Sequence, residues 1–400
     1  MSAPHRLGPA RALPRTPRAA RAAAPTDTSP LLGGSSPARF MRTHWQKQPW
    51  LVRQAIPAFE GPLSRRELFA LAMRDDVESR LVQRQGRGWS LTLGPFTRAM
   101  LRGLPERNWS LLVQGVNLHV PAADALLRRF DFVPYARLDD LMVSYAAPGG
   151  GVGPHIDAYD VFLLQGFGRR RWQYGLQRDT QCREGLPLRV LRRFTPEHDA
   201  VLGPGDMLYL PPEYAHDGVA LDACTTYSIG FRAPSTREVV QGFLDYLHDH
   251  LAPAGRYRDP ELMPTSAPAR IAPKMQGQIT RMLRELRWNA QDVRRFTGEW
   301  LTEPKANVFF DSPSADLTRN GFTRRARREG IHLDPRTQML YDATSVYING
   351  MTLDASGLGS EVTALADHRR LAADAVACAD AISLRHFYDW YVQGYVRLGI

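Results

Sequence analysis

His155 and Asp157 stand two residues apart at the head of a strand-like run, in the stretch GPHIDAYDVFLLQG that starts at Gly153. Alternate residues of a strand project from one face, so an imidazole and a carboxylate are aimed at a common point. His216 follows a Pro-Gly-Asp turn and the apolar run Met207 to Leu210, as a third ligand arriving from a distant strand would. Two histidines and one carboxylate form the facial triad that holds ferrous iron and leaves three coordination positions open, which oxygen activation requires. Such a centre needs an electron source, and 2-oxoglutarate chelates the metal while its far carboxylate calls for a cation. The triplet Arg169, Arg170, Arg171 follows on the next apolar strand. Arg170 has the right chemistry for a bidentate carboxylate clamp, with Arg169 and Arg171 on the opposite face. Spacing alone leaves open which of the three points inward.

A His-x-Asp pair by itself occurs by chance, and its surroundings are what narrow the reading. Glycines precede His155 and let backbone approach a bound group closely. The second segment, LGPGDMLYLPPEYAHDG, matches the second cupin motif Gly-x5-Pro-x-Gly-x2-His at Gly205, Pro211 and His216, with Glu213 where the motif has Gly. His248-Asp249-His250 competes poorly, because neighbours two apart on a helix diverge, and it reads as a solvated helix end. His119 and His198 have no partner at useful spacing.

These side chains need strands to carry them. From Arg137 to Arg232 short apolar runs are bounded by Gly, Pro and Asp: Leu141 to Tyr145, Val161 to Gln165, Arg170 to Tyr174, Met207 to Leu210 and Thr225 to Phe231. That pattern predicts an antiparallel sandwich or barrel. Before it, Arg65 to Arg74 reads as a helix and Trp89 to Leu93 as a strand. After it, Thr236 to Leu251 has a helical period, then a Pro-rich stretch leads to amphipathic segments around Ile279 to Leu286 and Val293 to Leu301. Their apolar stripes must pack on something, and a second subunit is as good a candidate as the barrel. Beyond Pro304 a small α+β unit is expected, with a hairpin at Asn349-Gly350 and a helix over Ala364 to Tyr388.

At 400 residues, with 44% hydrophobic and 23% charged side chains, disorder of the whole chain is excluded. No apolar run is long enough to span a membrane, and three cysteines without metal or redox spacing suit a reducing compartment. The formal charge of +10 resembles that of a polyanion binder. Only Lys47, Lys274 and Lys305 are lysines, however, so the excess follows an arginine-biased composition. Residues 1–38 read as a disordered basic leader: a tail without targeting function, the result of a start codon assigned too early, or an Arg-rich transit peptide.

Together, His155-x-Asp157, Arg170 and His216, within GPHIDAYDVFLLQGFGRRRW and LGPGDMLYLPPEYAHDG and followed by YSIGFRAPSTRE, resemble the bacterial ribosomal oxygenases. These are JmjC-type, cupin-fold 2-oxoglutarate oxygenases that hydroxylate an arginine in large-subunit ribosomal protein L sixteen. The likeness is dense between Asp139 and Glu238 and weak after Pro304. It implies an α+β chain: a JmjC double-stranded β-helix (39–235), a helical dimerisation region (236–303) and a C-terminal winged helix (304–400). It also implies Fe(II), with 2-oxoglutarate and O2 as co-substrates. His155, Asp157 and His216 would be the metal ligands, Arg170 the 2-oxoglutarate clamp and Thr226 a further co-substrate contact, although some members carry Asn at that position. The implied substrate pocket is Asp140, Met142, Tyr159 and Ser228. Asp140 and Met142 alternate on one strand face, setting a carboxylate for a guanidinium beside an apolar surface for its stem. The expected partners are that ribosomal protein and a second copy of the chain, in the cytoplasm, without a membrane. The alternatives are a histidine-directed ribosomal oxygenase, which an acidic pocket suits less well, and a winged-helix nucleic-acid binder using Arg324, Arg325, Arg327 and Arg328.

Overall fold

The computed structural model describes residues 30–399 except 87, 252, 314 and 315. Twelve strands build the front part of the chain: β1 (Trp50–Val52), β2 (Ser79–Gln85), β3 (Gly88–Leu93), β4 (Trp109–Val113), β5 (Leu138–Ala146), β6 (His155–Ile156), β7 (Val161–Gln165), β8 (Arg170–Leu176), β9 (His198–Leu202), β10 (Met207–Leu210), β11 (Tyr214–Ala220) and β12 (Cys224–Phe231). They form an eight-stranded sheet in the order β1-β10-β7-β12-β5-β4-β2-β3 and a four-stranded sheet in the order β6-β11-β8-β9. The paired strands are antiparallel throughout. Full burial of β4, β7 and β10 explains why their sequences are apolar but for Ser110 and Gln165, whereas β8 alternates Arg170 in, Arg171 out, Trp172 in.

The main core fills this unit with Phe40, Phe130, Phe162, Tyr209, Tyr227 and Phe231 among its largest buried side chains. Leu31 and Leu32 are buried in it and a helix begins at Pro37, capped by Ser36. The expected leader over 1–38 is therefore corrected at its C-terminal end: two buried leucines tie residues 30–38 to the fold, while residues 1–29 lie outside the described residues.

The helix Thr236–His250 opens with a complete Ser235/Glu238 capping box and packs on Ala290–Thr302 through Tyr246, Leu247 and Phe296. Between them the helix Pro273–Arg284 has no buried residue. The C-terminal unit has its own core around Phe322, Ile348, Phe387 and Trp390, two three-stranded sheets and four helices. Its hairpin turns at Asn349 and Gly350, both at positive φ (48° and 82°), as a type I′ turn requires. The single helix read over Ala364 to Tyr388 is instead three, Ser360–His368, Ala373–Cys378 and Ala381–Val392. Arg369 in the left-handed region ends the first, and Asp380 caps a new start by accepting from the Ser383 N–H. Among the described residues, no helix is long and apolar enough to cross a membrane.

Candidate metal and co-substrate site

The four-stranded sheet positions the cluster. His155 on β6 pairs directly with His216 on β11, so the two rings meet with centroids 4.2 Å apart, and Asp157 follows just beyond β6. One donor atom from each of the three residues lies within 4.8 Å of the others; no other such group of metal-binding side chains occurs among the described residues. The Asp157 carboxylate is 3.9 Å from His155 Nε2 and 3.7 Å from His216 Nε2. These gaps exceed a hydrogen bond and match ligands arranged about 2.1 Å from a shared ion. Each histidine is oriented from behind. His155 Nδ1 lies 2.9 Å from the Gly153 carbonyl and His216 Nδ1 3.1 Å from that of Tyr214. A proton on Nδ1 donates to those carbonyls and leaves both Nε2 lone pairs facing the cluster. Burial, with the His155 ring next to it, pushes His216 down to about 4, so it stays neutral and able to ligate at neutral pH. The donor set fits a divalent first-row metal.

The turn before His216 explains the departure from the cupin motif. Glu213 sits at φ 72°, the left-handed region in which the motif's Gly costs nothing, and its N–H still donates to the Asp157 carbonyl at 3.2 Å. The glycine run before His155 is needed sterically: a Cβ on Gly150 would stand 2.1 Å from the Trp109 carbonyl oxygen.

Of the three arginines, Arg170 is the inward one. Arg169 pairs with Asp222 and Arg171 with Asp199 at the surface. Arg170 is buried, Nη1 donates to Ser144 Oγ at 3.2 Å, and Nε and Nη2 have no partner. A buried guanidinium with free donors is chemically suited to pair with a carboxylate. Thr226 is buried on β12 opposite Ser144, and its hydroxyl donates to Gln165 Oε1 at 3.1 Å.

Asp140 and Met142 share a face of β5, and Met142 pairs with Ser228 on β12. Tyr159 is part-exposed, with its hydroxyl pushed up by burial and by the carboxylates of Asp157, Asp140 and Asp139 around it. Gln114 Nε2 donates to both Asp140 oxygens at 3.1 and 2.8 Å, and the Gly115 N–H donates at 3.1 Å. Sequence reasoning missed Ser144, Gln114 and Lys305, whose ammonium lies 3.1 Å from Asp139 and 3.6 Å from Asp140. None of them belongs to a local pattern. His248-Asp249-His250 is not brought together as a metal site; His250 stacks on Tyr246 at 4.1 Å.

Family models match the chain twice, as a JmjC domain over residues 125–239 and as a ROXA-like winged helix over residues 285–397. The chain is 37% identical over 354 residues to the Ribosomal protein uL16 3-hydroxylase of Escherichia coli, covering 88% of this chain and 91% of that one. It is 40% identical over 212 residues to a Probable ribosomal oxygenase of Haemophilus influenzae, about half of each chain (52% and 52%). A solved structure of the E. coli ribosomal oxygenase YcfD with cobalt and 2-oxoglutarate aligns at TM-score 0.75 and 34% identity, covering 90% of this chain and 97% of that one.

Proposed function

The chain belongs to the ribosomal oxygenases, with a JmjC barrel and a winged helix, and from that premise we propose its reaction and the residues that perform it. It is a 2-oxoglutarate-dependent oxygenase that hydroxylates a ribosomal protein, and the target is the β-carbon of an arginine in ribosomal protein uL16. One observation carries the assignment of residues: the His155, Asp157, His216 cluster stands with a buried, half-unpaired Arg170 on the same small sheet. Bound Fe(II), with 2-oxoglutarate and O2, supplies the chemistry by which one oxygen atom enters the substrate C–H bond while the other enters succinate as carbon dioxide leaves.

The chain's own residues place the reactants. His155 and His216 present Nε2, each locked by a carbonyl at Nδ1, and Asp157 supplies the carboxylate. Arg170 clamps the far carboxylate of 2-oxoglutarate through Nε and Nη2, with Thr226 and Ser144 lining that end of the barrel. Asp140 receives the guanidinium, Met142 and Tyr159 hold its stem, and Ser228 completes the pocket. Holding the target carbon at a fixed position beside the metal is the protein's main contribution to rate. A buried carboxylate at the pocket favours a cationic side chain over a neutral imidazole.

Two further parts of the proposal concern assembly and place. The apolar residues that Pro273–Arg284 leaves exposed support a homodimer built through the helical region. A ribosomal substrate and the lack of a membrane-crossing helix among the described residues support work in the cytoplasm. Mass spectrometry of uL16 from a deletion strain of the host tests the reaction. Complementation with the wild-type gene should restore a mass gain of one oxygen atom on one arginine, and His155→Ala should not. An unmodified protein despite active wild-type enzyme sinks the proposal.

A further inference from the structure

The acidic pocket already holds a cation that belongs to the chain. Lys305 Nζ lies 3.1 Å from Asp139 and 3.6 Å from Asp140, and Arg232 Nε is 3.6 Å from Asp139. Two carboxylates thus face two positive charges. Asp140 is 3% exposed and its carboxyl is pushed up by burial, against which Lys305 acts. The adjoining cavity, about 550 Å³, is lined by Asp139, Tyr159, Arg232 and Lys305 and by two further carboxylates, Glu238 and Glu303, but not by Asp140 itself.

A substrate guanidinium entering this arrangement brings a third positive charge to two carboxylates, and cations within about 4 Å of one another repel strongly where water is scarce. Departure of one resident charge relieves that repulsion at Asp139 and Asp140. Arg232 is fixed: its Nη1 donates to the Leu301 carbonyl at 2.6 Å, and its own carbonyl accepts from Arg137 Nε at 2.6 Å. Lys305 is not, for its ammonium has no partner besides the two aspartates among the described residues. It sits on a flexible stem after Pro304, and its side chain is 43% exposed.

We propose that Lys305 is a tethered competitor of the substrate arginine, a resident counter-ion of Asp139 and Asp140 that swings into solvent when the guanidinium binds. This rests on the arginine-directed reading above. While the pocket is empty Lys305 opposes the neutralisation that burial favours at Asp140, and it sets the threshold a substrate must pass. A side chain with its own full charge exchanges for the ammonium at little net cost, whereas a neutral one leaves Asp140 with only the Gln114 and Gly115 donors and no cation if Lys305 departs.

Steady-state kinetics of the full chain, loaded with Fe(II) and saturating 2-oxoglutarate, on an arginine peptide from uL16 test this. Lys305→Met should lower KM for the peptide by about tenfold, the effect expected of a close charge pair, while kcat stays near the wild-type value. Lys305→Arg, which keeps the competing charge, should leave KM at or above wild type. Lys305→Gln repeats the test should the Met variant fold poorly, with the melting temperature as the control. A KM that is unchanged or raised in folded Lys305→Met or Lys305→Gln overturns the competitor role and leaves the function intact. No turnover of the peptide by the wild-type enzyme instead removes the arginine-directed reading, and this proposal with it.

Discussion

Arg170 brings a full charge into the barrel and receives one hydroxyl acceptor, Ser144, with its guanidinium 5.7 Å from the Trp172 ring. Burying a cation with two unsatisfied donors costs stability, which a bound carboxylate returns. Arg170→Met is therefore expected to melt at or above the wild-type temperature without co-substrate. With metal present throughout, addition of 2-oxoglutarate should then raise the melting temperature of the wild type more than that of the variant; a ligand at a hundred times its dissociation constant contributes about 2.7 kcal/mol. Differential scanning fluorimetry reads both, and an equal shift in the variant would remove Arg170 from the clamp. The triad was legible in the sequence because its logic is local, one pair two apart on a strand and one motif around a turn. The choice among Arg169, Arg170 and Arg171 needed the surface partners Asp222 and Asp199, which arrive from other strands. Lys305 was invisible because it reaches Asp140 from beyond the helical region, with no periodic signal linking them.

At the scale of elements, the strands of the barrel were readable because each is a short apolar run closed by Gly, Pro or Asp, and the Asn349-Gly350 hairpin because both residues must take positive φ. The C-terminal helices were not, since alanine-rich sequence continues the helical period across breaks that Arg369 and Asp380 impose through backbone conformation and capping. Glu213 shows the same effect at the site. A side chain held in the left-handed region costs about 1–2 kcal/mol, whereas glycine there adds only about 0.5–1 kcal/mol of unfolded-state entropy to the cost of folding. Glu213→Gly should thus stabilise the protein by roughly 0.5 kcal/mol and leave metal affinity unchanged, because the Glu213 N–H to Asp157 bond is a backbone contact. Chemical denaturation measures the first and metal titration the second; a destabilised variant would show that the Glu213 side chain, not its backbone, holds the turn.

For the molecule as a whole, the net charge of +10 has little to do with the chemistry, whose pocket is acidic. Much of the arginine excess works as structure. Arg369 is buried where the C-terminal unit meets the barrel, donating to the carbonyls of Thr337 and Asp334 and lying 3.9 Å from Asp124 of the front part. Asp334 in turn accepts from Arg336 and Arg397. The apolar balance points outward instead. Pro273–Arg284 and the segment after it expose Met275, Ile279, Met282, Leu283, Leu286 and Trp288, while Thr236–His250 exposes Val240 and Leu244. So many exposed apolar residues on one helical region are unusual for a monomer and suit the self-complementary patch of a two-fold dimer. Because none of the residues of Pro273–Arg284 is buried within the chain, Ile279→Glu with Leu283→Glu should cost the folded protomer little, yet place two charges against their symmetry mates. Size-exclusion chromatography with light scattering should find the wild type at twice the chain mass and the double variant at the single mass, with unchanged circular dichroism. A monomeric wild type would remove the dimer, and a double variant that remains dimeric would move the subunit interface elsewhere; either leaves this helix face without a partner.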